Sequence, residues 1–441
     1  METTSYIERR NELLERIGSG MAIVMASSHK QRSHDTEYSY RQDSNFKYLT
    51  GFNEPESILV LTPENEVKTT LFVRPKDELA ELWSGKRMGI SKAQELLDVD
   101  DVHSIEDFER ILPELMPGHD SLYMDLFEDS SEVVKMLERC KKIQMAKRKA
   151  KVLLPSSFKN LRSEIGRMRL KKDQNEILAM RKAASATLLG HKGAMAFTAP
   201  GRNEREVQAY MEFLFKMGGA QGTAYESIVA GGNNANTLHY VNNNENLKDG
   251  DLLLIDAGAE FNLYAADVTR TFPVNGKFSP AQRDVYQLVL EAQKASIAMA
   301  KPGKTLTDVH KETLKVLTDG LIHLKVLEGS LEENLEQHLY RRFYPHGTSH
   351  WLGLDVHDES PYITETLDEY VFEEGMVFTI EPGLYFPATD ATLRNELQGI
   401  GIRIEDDILI THNGHEILTA GIPKEIKEVE EACKTDYKSF L

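Results

Sequence analysis

The sequence predicts two domains, an α/β domain over residues 1–170 followed by a doubled α+β domain over residues 171–441. Three observations lead to this prediction. The chain has 441 residues, which is more than one ordinary domain needs. Helical and strand patterns alternate up to about residue 170. Beyond that point, one order of helix, helix, strand, strand occurs twice, and such patterns define the class of a fold.

The first domain shows short apolar runs separated by helical patterns. The strand predictions are MAIVMAS, SILVLTP, KTTLFVRP and SLYMDLF, and the helix predictions are YIERRNELLERI, SKAQELL and SSEVVKMLERC. This alternation is typical of an α/β domain. The basic stretch KKIQMAKRKAKVLLP follows it. Because acidic residues surround this stretch, we interpret it as an exposed face or a linker.

The second domain contains an internal repeat. APGRNEREVQAYMEFLF begins at position 199 and KPGKTLTDVHKETLKVL begins at position 301. In both copies Pro-Gly ends one helical pattern, and an N-cap residue with an acid three positions later opens the next. These pairs are Asn203 with Glu206 and Thr305 with Asp308. Two strand-like runs follow each copy, so we expect a pseudo-two-fold domain with a site between its halves.

Composition excludes several classes of protein. The net charge of −18 argues against a nucleic-acid partner, because phosphate binding needs basic patches. Two cysteines do not suggest a disulfide framework. No apolar run reaches the length of a membrane span, and the first residues show no apolar signal-peptide core. We therefore expect a cytoplasmic protein that does not enter a membrane.

The strand-like runs of the repeat carry acids where strands are usually apolar. These acids are Asp256, Asp267, Glu381 and Glu405. One such acid is usually an exposed strand end. Four together would be costly inside a sheet unless they were paired or bound to a cation. Two acids from each copy would meet at the pseudo-two-fold axis, where four carboxylates and a histidine suit two adjacent cations.

The stretch HGTSHWLGLDVHD supplies the candidate histidines His346, His350 and His357. Two of them are four residues apart, as in zinc peptidases that carry their ligands on a helix. That motif needs Glu directly after the first His, but here Gly347 follows it. The residues alone leave each histidine open as a metal ligand, a substrate-contacting group or a packing group.

At these positions the sequence resembles the pita-bread metallopeptidases, and most closely the aminopeptidase P family. The motifs are LLLIDAGAEFNLYAADVTRTFPVNGKF, HGTSHWLGLDVHD, VFTIEPGLY and GIGIRIEDDI. The resemblance implies a pita-bread catalytic domain over residues 171–441 that binds two divalent metal ions. The implied ligands are Asp256, Asp267, His350, Glu381 and Glu405, with Asp256 and Glu405 as the bridging pair. Oxygen-rich ligation favours Mn²⁺, with cobalt, zinc and iron as alternatives.

The resemblance also implies an activity, namely release of the first residue from peptides that have proline in second position, by a hydroxide that bridges two metal ions. Glu381 would then transfer protons, and His239 or His357 would stabilise the oxyanion or bind the substrate. Other implied substrate contacts are His346, Tyr385, Arg403 and Trp83. The alternatives are a prolidase, which cleaves Xaa-Pro dipeptides, and a pita-bread module that binds peptides or proteins without catalysis.

The stretch YRQDSNFKYLTGFNEPES resembles the non-catalytic N-terminal domain of the same family. The resemblance implies that residues 1–170 control substrate access and contribute to oligomerisation. We therefore expect a homo-oligomer, either a dimer or a tetramer.

Overall fold

The computed structural model describes residues 3–440. Its contacts divide the chain into two compact units, residues 1–169 and residues 170–441. Among the described residues, no helix combines the length and the apolar character needed to cross a bilayer.

The N-terminal unit is built around one mixed sheet of six strands. Its strands are β1 (Met21–Met25), β2 (Gln31–Ser33), β3 (Thr36–Glu37), β4 (Ile58–Leu61), β5 (Thr69–Val73), β6 (Asp101–Ser104), β7 (Ser121–Met124) and β8 (Ser157–Asn160). The sheet order is β6-β5-β4-β1-β7-β8, and β2 pairs with β3 as a separate ribbon. The four strand patterns predicted for this unit coincide with β1, β4, β5 and β7. Their continuous apolar runs fit strands that are buried on both faces.

Helices alternate with these strands along the chain. They are α1 (Thr3–Ile17), α2 (Ser44–Thr50), α3 (Glu78–Ser84), α4 (Gly89–Leu96), α5 (Phe108–Leu115), α6 (Ser130–Lys147) and α7 (Arg162–Arg169). Phe108 and Leu112 of α5 pack with Met136 of α6 against the sheet residues Ile23 and Phe72 in one buried cluster. The alternating helices and strands confirm an α/β unit.

The helices of the C-terminal unit come in pairs, as the repeat predicts. They are α8 (Gln174–Phe197), α9 (Glu204–Met217), α10 (Pro280–Met299), α11 (Leu306–His323), α12 (Leu331–Glu336) and α13 (Ile426–Ala432). Capping boxes open α9 at Asn203 and α11 at Thr305, so both predicted helix starts are confirmed. Each box satisfies N–H groups that the first turn of a helix leaves without partners.

Short strands form four small sheets in this unit. They are β9 (Gly222–Thr223), β10 (Ile228–Gly231), β11 (Leu252–Asp256), β12 (Ala259–Phe261), β13 (Tyr264–Ala265), β14 (Thr269–Pro273), β15 (Val377–Ile380), β16 (Gly383–Phe386), β17 (Ile400–Arg403), β18 (Asp406–Thr411) and β19 (Gly414–Ile417). The antiparallel pairs β11–β14 and β12–β13 of the first copy correspond to β15–β18 and β16–β17 of the second. The repeated pairing confirms the predicted internal repeat.

The structure corrects one expectation about these strands. Each of the four runs predicted as one strand is divided into two, with the acid at or beside the break. Asp256 is the last residue of β11, and Asp267 lies between β13 and β14. Glu381 lies between β15 and β16, and Glu405 between β17 and β18. The acids therefore do not interrupt an apolar sheet, because the backbone changes its pairing partner where each acid occurs.

A buried ion cluster holds the second copy against the first, directly behind one of these breaks. One oxygen of the Asp406 carboxylate accepts hydrogen bonds from Arg270 at 2.7 Å and Thr419 at 2.8 Å. The other accepts from Gln293 at 2.7 Å and Lys424 at 2.6 Å. Burial alone would raise the pKa of Asp406, but the charges of Arg270 and Lys424 hold it at about 2. The Asp406 carboxylate is thus ionised at neutral pH.

We expect Asp406→Ala to lower the free energy of unfolding of the C-terminal unit by about 3–5 kcal/mol, because it leaves a buried arginine without its counter-ion. Urea denaturation measures this change. The control is Glu416→Ala, which breaks the half-exposed ion pair with Arg181 and should cost less than about 1 kcal/mol. Equal losses of unfolding free energy in the two variants would contradict the stabilising role of the buried cluster around Asp406.

Candidate metal centre

The four acids and one histidine converge on a cavity in the C-terminal unit. The cavity has a volume of about 460 Å³ and is lined by all five predicted metal ligands. Ligand atoms of Asp267, His350 and Glu405 all lie within 4.8 Å of one another. The Nε2 atom of His350 is 3.3 Å from Asp267 and 3.8 Å from Glu381.

His350 is oriented by its own backbone neighbour. Its Nδ1 atom is 3.1 Å from the carbonyl oxygen of Trp351. A carbonyl only accepts hydrogen bonds, so Nδ1 carries the proton and donates it. Nε2 then faces the carboxylates with its lone pair when the ring is neutral. Histidines that bind a metal through one ring nitrogen usually donate a hydrogen bond from the other to a carbonyl or carboxylate.

Tyr225 joins two of the acids, although sequence reasoning did not identify it. Its hydroxyl lies 2.6 Å from an oxygen of Asp256 and 2.5 Å from an oxygen of Asp267. Tyr225 lies on the link between β9 and β10, where neither periodicity nor a motif marks it. The hydroxyl fixes the spacing between the acid that ends β11 and the acid that precedes β14.

Arg403 connects the acids to the rest of the cavity wall. It donates to Asp256 at 2.5 Å, to Tyr385 at 2.9 Å and to the hydroxyl of Thr269 at 3.0 Å. Thr269 in turn donates to Glu405 at 2.6 Å. Arg403 is only 4% exposed, so it is a buried counter-ion and not an exposed strand charge. Thr269 was not identified from the sequence, because a threonine in a strand is unremarkable.

The crowding of carboxylates changes their acidity. Burial raises the pKa of Glu381 to about 7, against the opposing charges of His350 and Arg403. Burial and the neighbouring acids raise the pKa of Glu405 well above its ordinary value. Burial also raises the pKa of Asp256, although Arg403 opposes this. Burial disfavours the charged form of His350, but the hydrogen bond and charge of Asp267 raise its pKa to about 9.

These observations fit a site for divalent cations. Four carboxylates and one correctly oriented imidazole line one small cavity. A bound cation would offset the electrostatic repulsion between the carboxylates. Oxygen donors outnumber the nitrogen donor by four to one, which suits hard or borderline divalent ions.

The other predicted histidines line the same cavity but differ in whether their ring nitrogens are already hydrogen-bonded. His346 donates through Nδ1 to the carbonyl of Gly347 at 2.7 Å and accepts at Nε2 from Tyr385 at 2.8 Å. Burial and the charge of Arg403 lower the pKa of His346 to about 3, so the ring stays neutral. Both its nitrogens are occupied, and only its ring faces can contact a ligand.

His239 and His357 are exposed on the cavity wall. The ring of His357 stands edge-on to that of His350, with 4.4 Å between centroids. Neither His239 nor His357 makes a hydrogen bond to another described residue. Their ring nitrogens are therefore available to a bound molecule.

Trp83 lies in the N-terminal unit, on α3. It is 89% exposed, so it is not the core residue that a lone tryptophan usually is. Leu79 and Leu82 of the same helix are also exposed, at 77% and 78%.

A buried acid anchors the loop that carries His239. Glu204 is completely buried at the first position of α9. Its carboxylate accepts hydrogen bonds from the N–H groups of Gly231 at 2.7 Å and Glu245 at 2.9 Å. It also accepts one from the Tyr240 hydroxyl at 2.9 Å. From the sequence, an acid at this position suggests only a favourable charge at a helix start.

Comparisons with known proteins point to the same family as the sequence motifs. Residues 178–412 match the model of metallopeptidase family M24, and residues 6–123 match the aminopeptidase P N-terminal domain. An Xaa-Pro aminopeptidase of Haemophilus influenzae is 42% identical over 429 residues, which cover 96% of both chains.

Two solved structures extend the likeness to three dimensions. The structure of Pseudomonas aeruginosa aminopeptidase PepP has a TM-score of 0.96 and 40% identity, and the match covers 100% of this chain and 99% of that one. Zn-substituted Escherichia coli aminopeptidase P in complex with product has a TM-score of 0.94 and 38% identity, with 98% of both chains covered.

The repeated fold and its cluster of acids define a pita-bread metallopeptidase. The chain belongs to metallopeptidase family M24, and the resemblance to aminopeptidase P that the motifs predicted is confirmed.

Proposed function

We propose that this metallo-exopeptidase releases the first residue from peptides that carry proline in second position. The observation that carries the proposal is the convergence of four carboxylates and one imidazole on the wall of one cavity, in a chain whose curated relatives are Xaa-Pro aminopeptidases over nearly their whole length. A non-catalytic binding module would not need this ligand set.

We assign Asp256, Asp267, His350, Glu381 and Glu405 as the residues that hold two divalent cations. Manganese is the proposed metal, because four of the five donors are carboxylates. When bound, the ions supply Lewis acidity toward water and toward the scissile carbonyl. Measurement of metal content after purification without added metal tests the assignment of manganese.

The protein side chains do the remaining work. Glu381 lies beside His350 at 3.8 Å and is proposed to move the proton between the attacking water and the leaving proline nitrogen. His239 and His357 have free ring nitrogens on the cavity wall and are proposed to hydrogen-bond the substrate and the developing oxyanion. Arg403 and Tyr385 keep Asp256 and His346 in place through the hydrogen bonds described above.

The cavity wall also favours an aminopeptidase over a prolidase. A prolidase must recognise the free carboxylate of a dipeptide, which calls for a cation. Among the described residues that line the cavity, Arg403 is the one arginine or lysine, and it is paired with Asp256. Arg270 is buried in the cluster around Asp406. Neither arginine is free to bind the end of a dipeptide.

We therefore expect Xaa-Pro-Xaa tripeptides and longer peptides to give higher kcat/KM than Xaa-Pro dipeptides after loading with manganese. Replacing proline by alanine in the same tripeptide should lower the rate markedly, because the pocket loses ring contacts and meets an N–H group without a partner. A preference of tenfold or more for dipeptides would favour prolidase and leave the metal site as assigned.

We also propose a cytoplasmic homo-oligomer, dimer or tetramer, in which the N-terminal unit controls access to substrate. The exposed face of α3 that carries Trp83 supports a protein–protein contact, because large apolar residues that are exposed together often mark one. Sedimentation at micromolar concentration tests this, and a fully active particle of monomer mass would contradict it.

A further inference from the structure

We propose that Glu226 makes the cavity selective for peptides whose first residue has a positively charged side chain, lysine or arginine. This inference rests on the proposed function, since it concerns the residue that the enzyme would release.

Glu226 lies next to the metal centre without belonging to it. It directly follows Tyr225, whose hydroxyl contacts Asp256 and Asp267. Two residues later comes Ile228, which pairs with Asp256 between β10 and β11. Both Glu226 and Ile228 line the cavity.

The charge of Glu226 has no partner within the protein. Five acids line the cavity, and the other four are the proposed metal ligands. Glu226 is exposed and makes no hydrogen bond or ion pair with any other residue in the part of the chain that the structure describes. Arg403, the lining cation, is already bound to Asp256. Glu226 therefore gives this wall a negative charge that a ligand can neutralise.

The adjoining wall fits the stem of a long basic side chain. Ile228, Leu238 and Val241 line the same cavity with aliphatic groups. Lysine and arginine bury their methylene stems along such surfaces while their charged ends stay in a polar environment. An aliphatic first residue would use the same wall without the ion pair, and an acidic one would be repelled by Glu226.

The geometry points to the first residue of the peptide. The carbonyl carbon that is attacked belongs to the first residue of the peptide and must lie at the metal centre. The side chain of that residue is attached to the adjacent Cα atom, so it starts beside the metal centre. Glu226 is the immediate neighbour of a residue that contacts two proposed ligands. Glu226 lines the same cavity as those proposed ligands, so a long basic side chain that starts at the metal centre is the kind that would approach it.

The experiment compares Lys-Pro-Ala, norleucine-Pro-Ala and Glu-Pro-Ala as substrates of the manganese-loaded enzyme. For the unchanged protein we expect the lysine peptide to have the highest kcat/KM, about three- to fivefold above the norleucine peptide, as befits an exposed ion pair. This advantage should shrink when salt is raised from about 0.05 M to about 0.5 M. Glu226→Gln should remove it, and Glu226→Lys should make Glu-Pro-Ala the preferred substrate.

The control is Glu336→Gln, which removes the same charge at the exposed end of α12 and should leave the order of substrates unchanged. An equal loss on all three peptides in Glu226→Gln would overturn the inference, since it would mean that Glu226 binds the amino terminus. A lysine advantage that appears only in the third residue, tested with Ala-Pro-Lys, would also overturn it. If none of the peptides is cleaved by the unchanged protein, it is the proposed function that fails.

Discussion

Glu405→Ala is expected to lower kcat/KM on Xaa-Pro-Xaa peptides at least about a thousandfold and to reduce the bound metal. Glu405 is 2% exposed and its carboxylate lies within 4.8 Å of the ligand atoms of Asp267 and His350. The backbone at the break before β18 is held by Thr269, whose carbonyl accepts the N–H of Glu405 at 3.0 Å. Loss of this proposed ligand would therefore remove the Lewis acidity that bound ions would supply for hydrolysis.

Two measurements separate loss of metal from loss of fold. Elemental analysis gives the metal content, and a thermal melt in the presence of chelator compares the two proteins without metal. Glu405→Gln keeps an oxygen that can accept the hydrogen bond of Thr269, so it should fold normally and still bind metal poorly. Exposed Glu336→Ala is the matched control. Full metal occupancy in Glu405→Ala would remove Glu405 from the ligand set.

His350→Ala and His357→Ala should fail in different ways. His350 directs Nε2 at Asp267 from 3.3 Å, so its removal should lower metal content together with activity. His357 is packed edge-on against the His350 ring but does not reach the carboxylates through a hydrogen bond. We expect His357→Ala to keep its metal and to turn over about 10²- to 10⁴-fold more slowly, the range for a group that hydrogen-bonds or transfers a proton in the transition state.

The comparison depends on measuring both quantities for both variants. Metal content is obtained by elemental analysis, and kcat by assays at saturating peptide. His323→Ala provides the control, because His323 is exposed at the end of α11, where its nearest partners are groups of Asp319. Equal metal content in the two active-site variants would show that His350 is not a ligand.

The sequence predicts this fold well where a local pattern repeats. Asn203 and Thr305 mark two equivalent helix starts, and both capping boxes form. The four acids were recognised because carboxylates are unusual after apolar runs such as LLLI and VFTI. These features depend on residues only a few positions apart, so the linear sequence contains them directly.

The rest of the site depends on contacts between distant segments. Tyr225 reaches Asp267 across 42 positions, and Thr269 reaches Glu405 across 136. No periodicity encodes such a pair. The division of each predicted strand at its acid was also missed, because both pieces are apolar and the break is visible only when the two pieces pair with different strands. Glu204 was missed because its role becomes apparent only when the loop of His239 folds over it.

The distribution of the acids over the two copies of the repeat has a consequence for how long the folded protein persists in the cell. Asp256 and Asp267 come from the first copy, and Glu381 and Glu405 from the second. Neither copy alone carries the whole proposed ligand set, so cations would bind tightly only after both copies have folded together. By linkage, ligands that bind only the native state stabilise it by RT ln(1 + [L]/Kd). Metal supply in the cell would thus set the lifetime of the folded chain as well as its catalytic rate, and metal-starved molecules would be the first to become substrates of other proteases.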